Sequence, residues 1–158
     1  MFGELTSHQI DAFLKNQLVG RIGCSSAAHE TYVVPISYAY DGNAIICHTH
    51  EGKKAELMRQ NPNVCFEVDD LTDMGNWKSV IVQGRFEELV DRQERHRAMT
   101  VLLNRYLPMI SSVTVHLGKY WPFPPDDTGE IEGVVFRIAV REKSGRFESN
   151  HQSPAFPG

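Results

Sequence analysis

The order of strand-like and helical segments along the chain restricts its fold to a few architectures. The segments read as a helix, three strands, a helix, two strands, a helix and a strand. The second and third strands flank Asp41-Gly42, a dipeptide that strongly favours a hairpin. A βαβ alternation and a GxGxxG after a strand are both missing, which disfavours a doubly wound fold. The order therefore predicts a mainly β protein, a barrel or closed sheet with a few helices.

Local signals set the boundaries of these segments. Thr6 and Gln9 form a capping box at the start of the first helix. Asn61-Pro62 ends the second helix, because the residue before a proline resists the α conformation. Apolar residues at helical spacing indicate the third and longest helix. The predicted helices are 6–16, 51–60 and 91–107, and the predicted strands are 18–26, 31–40, 43–49, 64–68, 79–89 and 133–141.

Length and charge limit the classes of function that the chain can have. Its 158 residues show no shift in composition, which predicts one domain over 1–148, followed by a flexible or partner-contacting tail over 149–158. Sixteen basic and twenty acidic side chains give a net charge of -4. The protein as a whole therefore has no electrostatic attraction to nucleic acid or anionic membranes, and an anionic ligand must be held locally.

The N-terminus and the cysteines both indicate the cytoplasm. The first residues lack the basic and apolar runs of a secretory signal, and no apolar stretch approaches the roughly 20 residues that span a bilayer. Cys24, Cys47 and Cys65 are odd in number and lie far apart within apolar segments. This pattern is typical of reduced, buried thiols rather than disulfides.

The most informative stretch runs from Cys47 to Lys54, where a strand passes a glycine and enters a helix. The start of a helix offers unpaired backbone N–H groups and a partial positive charge, and Gly52 lets a ligand approach the backbone closely. Lys53 and Lys54 add two full positive charges. The stretch therefore predicts a site for a phosphate, whereas the alternative is that the two lysines form a solvated helix face.

His48 and His50 alternate along a strand, so their side chains project to the same face. Two histidines at this spacing can ligate a transition metal, but no third ligand is evident, and no metal site is predicted. A histidine beside a phosphate-bearing cofactor can instead donate a proton or contact the substrate. For His50 the alternative is a polar residue that ends the strand.

At this point the sequence resembles a known family. The run His48-x-x-x-Gly52-x-Lys54, followed by Leu57 and Asn61-Pro62-x-Val64, is similar to the flavin-phosphate segment of the pyridoxamine 5′-phosphate oxidase-like split barrels. The branch that contains nitroimidazole-resistance proteins is the most similar. Four further segments match in the same order, over roughly residues 5–148: Val19-Gly20-Arg21-Ile22-Gly23, Val34-Pro35-Ile36-Ser37-Tyr38, Trp77-x-Ser79-Val80-Ile81-Val82-x-Gly84 and Val134-Val135-Phe136-Arg137-Ile138.

The resemblance implies a fold, a cofactor and an assembly. The fold is a six-stranded antiparallel split β-barrel that binds flavin mononucleotide (FMN), and the assembly is a homodimer with FMN at the subunit interface. The residues implied to bind the cofactor are Arg21, Pro35, Ile36, Ser37, Tyr38, His48, Thr49, His50, Lys53, Lys54, Trp77, Ser79, Val80 and Trp121. Lys53 and Lys54 would hold the phosphate, and His48 is the implied catalytic residue.

The remaining implied roles follow the same positions. The backbone from Pro35 to Tyr38 would pass under the isoalloxazine ring, and Ser79 and Val80 would meet the phosphate and ribityl region. Trp77 and Trp121 would cover the ring or the dimer seam, with packing in the core or at an interface as the alternative.

The resemblance implies an FMN-dependent oxidoreductase that acts on a small aromatic, nitro or quinone-type substrate with an electron donor such as NAD(P)H. The chain lacks the added C-terminal sequence with which the vitamin B6 oxidases hold their substrate phosphate, so that reaction is not predicted. Two alternatives remain: a non-catalytic flavin- or haem-binding protein of the same fold, and an interaction module with an empty pocket.

Overall fold

The computed structural model describes residues 1–28, 30–110 and 131–150, with side chains at all of these positions except 107–110. These residues form one antiparallel sheet of eight strands and three helices. The elements in chain order are β1 (Phe2–Glu4), α1 (Ser7–Asn16), β2 (Val19–Ser25), β3 (Thr31–Ser37), β4 (Ala39–Tyr40), β5 (Ala44–Thr49), α2 (Lys53–Gln60), β6 (Asn63–Asp73), β7 (Asn76–Glu88), α3 (Arg92–Ile110) and β8 (Val134–Ser149).

The sheet curls into a barrel that is not closed. Its strands follow the order β3-β2-β6-β7-β8-β5-β4, and β1 pairs with the far end of β8. The strands at the two ends of this order, β3 and β4, are separated in the chain by Tyr38 alone. The sheet must therefore bend round until its two ends meet, although no hydrogen-bonded ladder joins β3 to β4 within the described ranges. This is the predicted split barrel.

Alternation along the strands separates two apolar clusters. Most buried side chains fill the barrel interior, where Leu14 of α1 and Met58 of α2 pack against the strands. A second cluster lies between α3 and the outer surface of β4, β5 and β8. On β5, Cys47 belongs to the interior cluster and Ile46 to the outer one. Because side chains alternate along a strand, His48 lies on the outer face that α3 covers.

All six predicted strand regions are present, but the count of six is wrong. The two extra strands, β1 and β4, have three and two residues, and each exists through pairing with a distant or adjacent strand rather than through its own pattern. The predicted run 31–40 is interrupted at Tyr38, whose N–H donates to Leu18 O and whose hydroxyl donates to Leu14 O at 2.6 Å. These contacts turn Tyr38 into the core.

Strands β6 and β8 are longer than predicted, because pairing with β7 supplies backbone hydrogen bonds to residues without an alternating pattern. β8 continues through the polar stretch 141–146, which pairs with β7 across a register shift between Gln83 and Gly84. The helix predicted over 51–60 begins at Lys53. Residues 151–158 of the predicted tail, and Trp121, lie outside the described residues.

The capping box is confirmed, and the prediction of buried thiols is confirmed for two of the three cysteines. The Thr6 hydroxyl accepts from the backbone N–H of Gln9, and the Gln9 side chain accepts from the N–H of Thr6 at 2.8 Å. Cys24 and Cys47 are buried, Cys65 is half-buried, and all three are free. None of the helices in the described ranges has the length and apolar character needed to cross a bilayer.

Candidate functional site

Helix α2 begins without a side-chain cap. Gly52 is its N-cap residue, and the first hydrogen bond of the helix joins the N–H of Glu56 to Gly52 O at 3.1 Å. The backbone N–H groups of the first turn before Glu56 therefore have no partner among the described residues. A Cβ added to Gly52 would meet nothing within 4 Å, so the approach to these donors is open.

The two lysines of this turn have different surroundings. Lys53 forms a salt bridge with Glu30, and its ammonium lies 5.1 Å from the centroid of the Tyr32 ring. Lys54 is half-buried and has neither a hydrogen bond nor a salt bridge within the described part of the chain. Burial raises the pKa of Cys24 and Cys47, and the positive charge of Lys54 opposes the rise of both. Lys54 is therefore the ammonium that is available to an anion.

A carboxylate beside this turn, that of Glu51, is paired with Arg59. Glu51 directly precedes the N-cap and would repel an anionic ligand. Its two oxygens accept hydrogen bonds from Arg59 at 2.8 Å each, and Arg59 also binds Glu88 at 2.7 and 2.9 Å. The hydrogen bond from Arg59 holds the pKa of Glu51 below its usual value, so this carboxylate stays charged and paired. Arg59 thereby offsets part of the repulsion that Glu51 would exert on an anion at the start of α2.

His48 makes a short hydrogen bond to the chain before β8. Its Nε2 lies 2.6 Å from the carbonyl oxygen of Glu132, and its ring contacts the His50 ring edge-on at 5.9 Å. Because a carbonyl oxygen only accepts, Nε2 carries the proton, and Nδ1 is the acceptor nitrogen of the neutral ring. Burial, the main cause, lowers the pKa of His48, with His50 and Arg95 adding to the effect against the Glu132 hydrogen bond.

Arg21 and Ser79 lie together on the outer face of the sheet. The Arg21 guanidinium binds Asp69 at 2.7 Å and Glu67 at 3.2 Å, and the Ser79 hydroxyl donates to Glu67 at 3.1 Å. Hydrogen bonds and the charge of Asp69 raise the pKa of Arg21. No hydrogen bond or salt bridge among the described residues joins this group to Lys54.

The residues around β3 that were predicted to bind the flavin would contact it through their backbone rather than through their side chains. Ile36 and Tyr38 are buried in the core, whereas Pro35 and Ser37 are exposed. β3 pairs only with β2 among the described strands, so one edge of its backbone is unpaired. This edge can offer N–H and C=O groups to a planar ligand. Tyr38 itself offers less, because its N–H and its carbonyl oxygen are already bonded within the chain.

The structure brings part of the predicted set together. His48 and Thr49 at the end of β5, and His50 directly after it, lead into Lys53 and Lys54 of α2. Val80 is fully buried in the barrel, so its side chain does not line a surface site. In the described ranges, no cluster of three histidine, cysteine or acidic residues that could hold a metal ion is found.

Trp77 lies at the opposite end of β8 from His48 in the same subunit. It pairs with Glu148, whereas Thr49 pairs with Val134 at the start of that strand. Its indole N–H donates to the Glu148 carboxylate at 3.0 Å, and its ring packs edge-on against Phe2 at 5.9 Å. Within one subunit Trp77 is therefore part of the β1–β7–β8 packing.

Two residues beside His48 were not predicted. Arg95, in the first turn of α3, donates to backbone carbonyl oxygens of the segment before β8. Gly133 of that segment has φ +88° and lies against His48. A glycine before a strand is a weak signal, and nothing in the sequence connects an arginine at position 95 to it, because the contact spans 38 residues.

Comparison with known proteins places this geometry in a family. The sequence pattern of the pyridoxamine 5′-phosphate oxidase family matches residues 6–147. An uncharacterized protein of Rhizobium meliloti is 32% identical over 124 residues, which cover 74% of this chain and 76% of that protein.

Solved structures share the fold over nearly the whole chain. A FAD-binding protein of Mesorhizobium loti is 30% identical with a TM-score of 0.72, covering 94% of this chain and 99% of that one. A candidate 5-nitroimidazole antibiotic resistance protein of Bacteroides thetaiotaomicron is 18% identical with a TM-score of 0.70, covering 93% and 87%. The second likeness is one of fold. The predicted resemblance is confirmed: the chain belongs to the pyridoxamine 5′-phosphate oxidase family.

Proposed function

We propose that this protein is a cytoplasmic FMN-dependent oxidoreductase that acts on a small aromatic, nitro or quinone-type substrate, with NAD(P)H as electron donor. The observation that carries the proposal is the start of α2, where an open glycine precedes first-turn N–H groups and a Lys54 ammonium that have no partner among the described residues. Such a site fits a phosphate dianion. The three free thiols suit a reducing compartment.

Different residues of the chain would bind the phosphate of the flavin, bind its ring system and contact the reacting groups. Lys54 and the first-turn N–H groups of α2 would bind the phosphate, and Lys53 would join them by exchanging Glu30 for it. The free edge of β3 would hydrogen-bond the ring system. A bound flavin supplies the electron transfer, and His48 would contact the reacting groups from β5.

A second copy of the chain is part of the proposal. The outer face of β3, β2, β6 and β7 exposes Val19, Val33 and Ile81, and these three side chains are 48%, 61% and 41% exposed. A shallow groove of about 540 Å³ crosses this face between Arg21 and Asn63. Exposed apolar side chains on one face are typical of a subunit interface. The partner's copy of this face would also bring Arg21 and Ser79 toward the flavin.

The test is the flavin content of the protein with and without the Lys54 charge. Freshly purified protein should show flavin absorption bands, and heat should release FMN rather than FAD, as identified by chromatography. Lys54→Gln should weaken FMN binding by about tenfold or more, because a charge-assisted hydrogen bond contributes about 1.5–3 kcal/mol. Titration of the apoprotein with FMN, followed by flavin fluorescence, measures the change.

Lys15→Gln is the matched control, because Lys15 is an exposed lysine in the last turn of α1. It should bind FMN like the unmodified protein. Equal FMN affinity of the Lys54→Gln and Lys15→Gln proteins would reject the phosphate site. Release of FAD would replace the proposed cofactor, and a haem spectrum would replace the proposed function.

A further inference from the structure

Arg95 holds three backbone carbonyl oxygens at once. Its guanidinium donates to Ile131 O at 2.5 Å, Gly133 O at 3.1 Å and Leu89 O at 3.3 Å. Leu89 is joined a second time, since its N–H donates to Val135 O at 2.8 Å. The side chain of one residue in α3 thus ties the start of the β7–α3 connection to the segment that enters β8.

Gly133 allows the segment before β8 to pack closely against β5. It has φ +88°, a conformation that side chains disfavour. A Cβ at this position would lie 2.6 Å from Thr49 O and 3.0 Å from Nε2 of His48. The backbone therefore approaches His48 as closely as a glycine allows.

Glu132 lies between Ile131 and Gly133, the two residues of this segment whose carbonyl oxygens accept hydrogen bonds from Arg95. With Ile131 and Gly133 both anchored, the peptide between them has little freedom to rotate. Its carbonyl oxygen is directed at His48, 2.6 Å from Nε2. The hydrogen bond that selects the tautomer of His48 thus depends on Arg95, although the two side chains belong to different elements.

We propose that Arg95 is a positioning residue that, through the backbone of 131–133, locks His48 in the Nε2–H tautomer and leaves Nδ1 as a hydrogen-bond acceptor. The consequence for ligand choice rests on the proposed function: His48 meets an N–H or O–H donor of the flavin or of the substrate, not an acceptor. Arg95 itself does not touch the reacting groups.

The test is the tautomer of His48 in the full chain as purified, read from the ¹⁵N shifts of its imidazole. The His48→Gln protein assigns the His48 signals among those of the seven histidines. Arg95→Gln is the main variant, and Arg95→Lys keeps the charge while losing the planar fork that reaches several acceptors. Arg105→Gln is the matched control, because Arg105 lies on the same helix and donates to Asn16 O at 2.8 Å instead.

We expect the unmodified protein and the Arg105→Gln protein to show a single Nε2–H tautomer. The Arg95→Gln protein should show a mixture of tautomers, and the Arg95→Lys protein should show a smaller but measurable loss of the Nε2–H preference. If the Arg95→Gln protein does not fold, the test is the tautomer of His48 in the Arg95→Lys protein compared with that in the Arg105→Gln protein. A His48 that keeps its tautomer in the folded Arg95 variants, or lacks a single tautomer in the unmodified protein, would overturn the proposal.

Turnover gives a second readout that separates this proposal from the proposed function. In flavin-loaded protein, Arg95→Gln should lower kcat/KM by about tenfold to a hundredfold with unchanged flavin content, as expected when a reacting group is misplaced. Loss of flavin binding in the Lys54→Gln protein with an unchanged tautomer concerns the phosphate site alone. A tautomer that changes in the Arg95 variants of a protein that binds no FMN on titration would uphold the positioning role and reject the proposed function.

Discussion

Two described glycines with positive φ differ in what surrounds them. Gly42, in the turn between β4 and β5, has φ +100° and open space around the position of a Cβ. Gly133 has φ +88° and contacts at 2.6 and 3.0 Å. At Gly42 only the backbone conformation disfavours a side chain, whereas at Gly133 packing against β5 disfavours it as well.

This difference predicts unequal costs for the same substitution. Gly42→Ala should lower the free energy of unfolding by about 1–2 kcal/mol, the cost of a left-handed conformation. Gly133→Ala should cost a further 1–3 kcal/mol or so, because the methyl group must displace the backbone of Thr49 or the His48 ring. Urea unfolding of both proteins measures the difference. Equal losses of unfolding free energy in the two proteins would mean that the segment before β8 can move away from the added methyl group without strain.

At the scale of elements, α1 depends on a cap that is local in sequence. Thr6→Ala removes the hydroxyl that accepts from Gln9 and should destabilise the protein by about 1 kcal/mol. The effect should reach global unfolding, because Leu14 of α1 is fully buried in the barrel core. Thermal unfolding measures it, with Thr72→Ala on the exposed end of β6 as control. A Thr6→Ala protein as stable as the control would show that packing alone holds α1.

Helix α2 illustrates how neighbouring elements change the meaning of identical residues. Lys53 and Lys54 are equivalent in the sequence, but in the structure β3 and the turn before it supply contacts to Lys53. Glu30 and Tyr32 both contact Lys53, whereas Lys54 has no hydrogen bond or salt bridge among the described residues. The local pattern could predict an anion site but could not choose between the two ammonium groups.

At the scale of the whole molecule, the proposed interface can be tested by adding charge to it. Val33→Asp places a carboxylate on the exposed outer face and should weaken association of two copies by about a hundredfold or more, because an unpaired charge would be buried. Sedimentation velocity measures the assembly, and flavin content should fall with it. Val90→Asp is the control, since Val90 is 79% exposed near the start of α3.

The outcomes separate the interface from the flavin site. If the Val33→Asp protein stays dimeric, the outer face of β3, β2, β6 and β7 is not the interface. If it becomes monomeric yet keeps its flavin, one copy holds the cofactor alone. Either result would be distinct from that of the Lys54→Gln titration.

The sequence alone determined features that depend on neighbours within a few residues or on the alternation of single strands. The capping box at Thr6, the hairpin at Asp41-Gly42, the six main strands and the glycine before α2 are of this kind. Each arises from backbone geometry and side-chain chemistry over one or two turns, so no knowledge of distant residues was needed. The family resemblance added the split-barrel fold.

Only the tertiary structure decided which residues meet. It extended β8 by pairing it with β7, turned Tyr38 into the core, and set Trp77 at the far end of β8 from His48. It also revealed Arg95 beside Gly133. Such contacts join residues far apart in the chain, and they form because a curled sheet must bury its apolar face and satisfy its backbone groups together, which no local pattern records.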